Sequence, residues 1–197
     1  MITKGLETEN QLLIMKIELN KVYRLLSPRL VFLITTTNSM GGVNAAPVDF
    51  TAPVTMSPPV VMVSIKPDTK TYQNIVHSRE FVMNVLSKEF IDRVLRCAKR
   101  YQNGVNKLEQ VGLHSFSSQL IDAPRVKEAK VWIECRMIEE KKFSDRVAIF
   151  AEALIAEVKD DVLTESEVDT TKLNPIVHLT QDRFLTDFKV SKHKRYD

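Results

Sequence analysis

Apolar runs in this chain are short, alternate with polar positions, and are broken by Gly, Pro and Ser. That pattern suits strands better than long helices. Residues 31–36 and 60–65 are rich in β-branched side chains and predict two strands. Residues 46–55 predict another, bent or at a sheet edge, because Pro47 and Pro53 each remove a ladder donor. Residues 80–86 (EFVMNVL) predict a fourth. Across residues 130–140, Val131, Ile133, Cys135 and Met137 fall on one side and Trp132, Glu134 and Arg136 on the other, which is strand periodicity. Residues 147–158 predict its partner across a hairpin loop at 141–145. The alanines of that run have helical propensity, but the hairpin favours a strand. Residues 15–19 (MKIEL) and 175–179 read as a first and a last strand.

Helical signals are few. Ser87 stands where it could cap an amphipathic helix with Phe90, Ile91, Val94, Leu95 and Ala98 on one face and Asp92, Arg93, Arg96 and Lys99 on the other. A helical turn is expected over 71–79, with Asp68 as N-cap. Asn103-Gly104 breaks the chain before a short helix over 105–111 that ends at Gly112. Residues 165–172 read as a loop or short helix. About seven strands, two or three short helices and no strand–helix rhythm predict a mainly β fold, an antiparallel barrel with helices filling its gaps. Residues 1–14 fit the rest poorly. They are either an N-terminal extension upstream of a true start at Met15 or a short helix covering one barrel end.

Length and composition narrow the setting. At 197 residues and 44% apolar, one domain with a real core is expected, over residues 15–190. A net charge of +3 allows an anionic ligand without demanding nucleic acid. The run Lys192-His193-Lys194-Arg195 in the tail 191–197 reads as solvated charge. The two cysteines, Cys97 and Cys135, are far apart and are expected as buried thiols in a reducing cytosol. The four histidines lack metal-ligand spacing, so no metal site is expected. No apolar stretch approaches the roughly 18 residues of a membrane span, and no signal peptide is evident. A cytoplasmic location is expected.

Fingerprints for acyl transfer, nucleotide hydrolysis and Rossmann binding (GxSxG, GxxxxGK[ST], GxGxxG) are missing. Asp160-Asp161 and Glu139-Glu140 are adjacent along the chain and would face opposite ways. The informative stretch is residues 35–71. It combines Thr35-Thr36-Thr37, a Gly41-Gly42 turn, small residues at Asn44-Ala45-Ala46-Pro47, and Lys66, Lys70 and Thr71, with only Asp49 and Asp68 as acids. Hydroxyls, a glycine-turn nest, lysines and a helix start are phosphate-binding chemistry; the alternative is a loop that is simply polar. Small side chains at 44–46 would let a flat ring approach backbone N–H groups; the alternative is an edge strand entering the core.

In order and spacing these segments resemble the flavin-reductase-like family of FMN-binding split barrels, relatives of flavoredoxin. The resemblance runs from about Met15 to Lys189. It is carried by Tyr23-Arg24-Leu25-Leu26-Ser27-Pro28-Arg29, Gly42-Val43-Asn44-Ala45-Ala46-Pro47, Ser57-Pro58-Pro59-Val60-Val61-Met62-Val63-Ser64-Ile65, Lys70-Thr71-Tyr72-Gln73-Asn74-Ile75, Glu80-Phe81-Val82-Met83-Asn84-Val85, Lys107 to Leu113, Trp132-Ile133-Glu134-Cys135 and His178-Leu179. It implies a homodimer of antiparallel Greek-key split barrels with FMN near the subunit interface. It further implies Thr36 and Thr37 beside the flavin phosphate and ribityl chain, Asn44, Ala45, Ala46 and Pro47 along the ring edge, Ser64 and Lys66 on the adjoining strand, and Lys70 and Thr71 at the phosphate. NADH or NADPH would be the electron donor, and no catalytic side chain is named. Two departures stand out. Asp49 lies where many relatives have a serine or an aromatic and is expected to point away from the ring, and Arg79 replaces a glycine before Glu80-Phe81. The alternative functions are an electron carrier without nicotinamide turnover and a barrel that binds no flavin.

Overall fold

Seven strands form one antiparallel sheet in the computed structural model, which describes residues 14–102, 105–186, 188–191 and 193. They are β1 (Phe32–Thr37), β2 (Val43–Val48), β3 (Thr51–Met56), β4 (Pro59–Ile65), β5 (Glu80–Val85), β6 (Val131–Lys142) and β7 (Val147–Val158). Their spatial order is β2-β1-β5-β6-β7-β4-β3. The two end strands, β2 and β3, are consecutive in the chain and joined through Asp49 and Phe50, so the sheet must curl until its ends meet. The Ser64 amide donates to the Phe50 carbonyl at 2.8 Å and fastens that corner to β4. Among the described residues no helix is long and apolar enough to cross a membrane.

Both faces of the sheet are covered. Ile34, Val63, Ile65, Phe81, Met83, Cys135, Val147 and Ile149 meet inside the curl. The other face carries Leu33, Ala45, Val82 and Trp132, buried under residues of α2 (Ile91–Arg96), α3 (Lys107–Gln110) and the segment from Leu113 to Ala129. This second cover explains Glu134, which lies on the side of β6 opposite Cys135 yet is fully buried. Its carboxylate accepts from Arg125 Nε at 2.7 Å and from the amides of Gln119 and Leu120 at 2.8 and 2.9 Å. A buried charge persists only with such partners. Cys97 and Cys135 are free and buried, as expected.

Several expectations are corrected. Residues 15–19 form no strand; the chain there is irregular and enters a 3-10 turn at Leu19–Arg24. Alternation alone cannot make a strand without a partner edge, and Met15, Ile17 and Leu19 stay exposed. The single strand expected at 46–55 is two strands broken at Asp49-Phe50. The N-cap of α1 (Lys70–Ser78) is Thr69, whose hydroxyl accepts from the Tyr72 amide, rather than Asp68. Ser87 makes no side-chain cap, and a 3-10 turn at Lys88–Phe90 leads into α2. Within 165–172 the chain forms part of a two-stranded ribbon, Leu163–Thr164 with Glu167–Val168, and then a helical turn at Thr170–Leu173. The last strand expected over 175–179 is β8 (Val177–Thr180), and a further strand, Arg183–Leu185, follows and pairs with it. Asn103-Gly104, residues 1–13 and most of the basic tail lie outside the described residues.

The Arg79 departure has a clear geometry. Arg79 ends α1 with φ 60° and ψ 19°, the left-handed cap that glycine adopts most easily. Its guanidinium donates to the carbonyls of Met137 and Ile138 at 2.8 and 2.7 Å. Replacement by Gly or Ala loses those bonds alike, but only Gly releases the left-handed backbone. Arg79→Gly should therefore be more stable than Arg79→Ala by about 1 kcal/mol; urea denaturation of the two variants measures the difference.

Candidate functional site

The β1–β2 hairpin has a defined hydrogen-bonding parity. The Asn38 amide donates to the Gly42 carbonyl at 3.0 Å. Antiparallel couples alternate between bonded and open. With Thr36 opposite Asn44, Thr35 opposite Ala45, Ile34 opposite Ala46 and Leu33 opposite Pro47, the bonded couples are Asn38/Gly42, Thr36/Asn44 and Ile34/Ala46. Thr35/Ala45 and Leu33/Pro47 are open. Pro47 thus sits where its missing N–H costs no ladder bond. Of the residues expected to offer backbone groups to a ring, Ala45 points its N–H and C=O outward from the sheet edge, whereas those of Asn44 and Ala46 face β1.

The side chains follow the same alternation. Thr35 and Thr36 point to opposite faces, so the three consecutive threonines are not one site. Thr35 is structural: its hydroxyl donates to the Pro124 carbonyl at 2.5 Å and accepts from Asn84 Nδ2 at 3.1 Å. Thr36 accepts from Asn44 Nδ2 at 3.3 Å and from Asn74 Nδ2 at 3.0 Å. Asn44 Nδ2 also donates to the Thr71 hydroxyl at 3.0 Å. Thr36, Asn44, Thr71 and Asn74 therefore form one buried polar knot that ties the start of α1 to the hairpin. Asn44 is 5% exposed, and its Oδ1 has no partner.

Two ammonium groups stand beside this knot. Lys70 Nζ donates to the Tyr101 carbonyl at 2.8 Å. Lys107, only 8% exposed, donates to the carbonyls of Ala45 and Cys97, each at 3.2 Å. Among the described residues neither ammonium pairs with a carboxylate. Burial lowers the Lys107 pKa, Cys97 opposes that shift and nearby Lys70 adds to it. Burial pushes the Cys97 thiol up to about 11. Asn38, Asn44, Lys70, Asn74, Tyr101 and Lys107 line a cleft at this point. The first helical amides, those of Lys70 and Thr71, have no partner within α1.

The expected glycine-turn nest is closed. Asn38 Oδ1 accepts from the amides of Met40 and Gly42 at 2.9 and 2.8 Å, and the Asn38 carbonyl accepts from Gly41 at 3.0 Å. The remaining expected residues are spread out. Thr37 is half-buried at the end of β1, and Lys66 is exposed between β4 and α1. Ser64 is engaged by Arg146, whose Nε donates to Ser64 Oγ at 3.0 Å. Pro47 borders a different hollow with Val31, Asp49, Leu95, His178 and Phe184.

Sequence reading missed Asn74 and Lys107 as lining residues. Asn74 lies three residues after Thr71, on the same face of α1, and that spacing could have revealed it. Lys107 comes from a distant short helix and carries no local signal. Asp49 is turned into a seam of its own, accepting from Arg29 Nε at 3.0 Å and bonding His178 Nδ1 at 2.7 Å. His178 Nε2 faces the Gln181 carbonyl at 3.0 Å. The seam pins β8 to the β2–β3 corner, and Phe50 beside it lies under the Arg146 guanidinium, 4.3 Å from ring centroid to Cζ.

An anion with a hydroxyl-bearing neighbour fits this arrangement: two ammoniums lack a counter-charge, and a buried amide oxygen lacks a donor. Comparison with known proteins identifies the family. Residues 23–183 match the family described as flavin reductase like domain. A protein of Aquifex aeolicus (strain VF5) is 34% identical over 179 residues, 88% of this chain and 91% of that one. Among solved structures, nitrilotriacetate monooxygenase component B from Bacillus cereus superposes with a TM-score of 0.84 at 20% identity, over 94% of this chain and 100% of that one. The flavoredoxin of Desulfovibrio vulgaris (Miyazaki F) superposes with a TM-score of 0.75 at 20% identity, over 83% of this chain and 90% of that one. With a family match that spans most of its length and a mainly antiparallel β fold shared with these neighbours, the chain belongs to the flavin reductase-like domain family.

Proposed function

We propose that this protein binds FMN and works as an oxidoreductase, taking hydride from NADH or NADPH and passing electrons to an acceptor. The observation that carries the proposal is the cleft between α1 and the β1–β2 hairpin, where, among the described residues, Lys70 and Lys107 have no carboxylate partner and Asn44 Oδ1 has no donor. Lys70 and Thr71, with the free amides of the first helical turn, would hold the phosphate. Thr36 and Asn44 would meet the ribityl hydroxyls, with Thr37 at the strand end. The outward amide of Ala45, beside two alanine-sized side chains, would face the edge of the ring. Bound flavin supplies the hydride-accepting chemistry; the chain binds it, orients it and sets the charge around it. No acid or base is required of the protein, and among the described residues no carboxylate or histidine lines the cleft.

The same proposal includes a homodimer with the cofactor near its interface. Strand β3 supports it: Val54 and Met56 are exposed there, and Leu25 and Leu26 are exposed on the lead-in segment. Exposed apolar side chains of this size are what an interface would cover.

Three outcomes are expected. Purified protein supplied with FMN is yellow, and NADH or NADPH bleaches it under anaerobic conditions. Yellow protein that neither nucleotide bleaches would be an electron carrier instead, and no binding of any flavin would sink the proposal. Lys70→Ala should weaken FMN binding by about 1.5–3 kcal/mol, the contribution of a hydrogen bond to a charged group, as read by fluorescence titration. Thr36→Val removes the acceptor shared by Asn44 and Asn74 and should cost about 1–2 kcal/mol of folding stability, as read by chemical denaturation.

A further inference from the structure

Lysine is almost never fully buried without a partner of opposite charge. Lys107 is an exception that the folded chain leaves open: 8% exposed, held by two carbonyls, next to a second ammonium, with no carboxylate pairing among the described residues. Carbonyl dipoles fix the position of the ammonium without neutralising it. Lys70 is only half-buried and solvent screens its charge, whereas Lys107 acts through a drier medium where a unit charge is felt more strongly. The unpartnered Asn44 Oδ1, on the same cleft wall, is a second and independent sign that a ligand completes the site.

We propose that Lys107 makes this cleft a site for a phosphate monoester dianion. On the flavin reading above, on which this part rests, it makes the protein selective for FMN over both riboflavin and FAD. Riboflavin brings no charge. Each phosphate of FAD is bridged, carries a single charge and cannot present three terminal oxygens between two ammoniums. A terminal phosphate carries about 1.5–2 negative charges near neutral pH and answers both lysines at once.

A pH dependence follows with a definite sign. The groups facing Lys107 are Lys70 from α1, the Cys97 thiol after α2 and the Tyr101 ring; none is a carboxylate. Without ligand the Lys107 pKa lies below the ordinary lysine value of 10.5, chiefly through burial. A bound dianion raises it again. Binding therefore takes up a proton between the two values, and affinity falls as pH rises through the lower one.

The test is calorimetric titration of flavin-free protein with FMN, riboflavin, FAD and inorganic phosphate, using the wild type, Lys107→Met and Lys107→Gln. Expected for the wild type is FMN affinity at least about tenfold above riboflavin and FAD. Lys107→Met should lose about tenfold or more for FMN, with riboflavin unchanged. An FMN-to-riboflavin ratio that is the same in wild type and both variants overturns the inference while leaving the flavin reading intact. If no flavin binds, the flavin reading falls, and inorganic phosphate decides: binding that Lys107→Met abolishes upholds the dianion site, and no phosphate binding ends it. Should the variants fail to fold, the wild type alone suffices. FMN affinity must fall more steeply than riboflavin affinity as the pH is raised toward the ordinary lysine value of 10.5, and parallel pH profiles refute the role of Lys107.

Discussion

In the hairpin of β1 and β2, bonded couples at Asn38/Gly42, Thr36/Asn44 and Ile34/Ala46 alternate with open couples at Thr35/Ala45 and Leu33/Pro47. Everything at the cleft depends on that register. It sends Thr36 to the side of α1 and Thr35 into the packing around Asn84. It turns the Ala45 carbonyl out to Lys107 and puts the proline where no donor is needed. A slip of one residue would exchange these roles completely, because side chains change face with every step along a strand.

The register is held from both ends. Asn38 closes the turn with its side chain and main chain, and at Gly42 an added Cβ would lie 2.7 Å from Asn38 Nδ2. At the other end, the Arg29–Asp49–His178 seam fixes the corner where β2 passes into β3. Between them, Asn44 and Asn74 bind the hairpin to α1, and Lys107 is bonded to the Ala45 carbonyl on the same strand. A ligand entering such a cleft would not have to order its walls first.

The chemistry that results is one of unmet charge and unmet hydrogen bonding. Buried polar groups are nearly always satisfied, and exceptions call for a reason. At the cleft one such exception, the Asn44 Oδ1 without a donor, stands beside two ammoniums that pair with no carboxylate among the described residues. The buried Glu134 carboxylate is met differently: one guanidinium and two amides converge on it.

The amino-acid sequence by itself determined the mainly β character, the positions of most sheet strands and the short helices between them. Period-two alternation, proline placement and glycine punctuation are local signals with local causes. It also pointed to Thr36, Asn44, Lys70 and Thr71, which the fold brings close together. Only the tertiary structure decided which neighbours share a face with them. Thr35 and Thr36 look equivalent in sequence and are separated by strand parity. The turn amides look like an anion nest and are occupied by Asn38. Lys107 lies 37 residues beyond Lys70 in the chain and reaches the same cleft because α3 packs over the open edge of β2. Such meetings depend on long-range packing, which no local pattern of residues encodes.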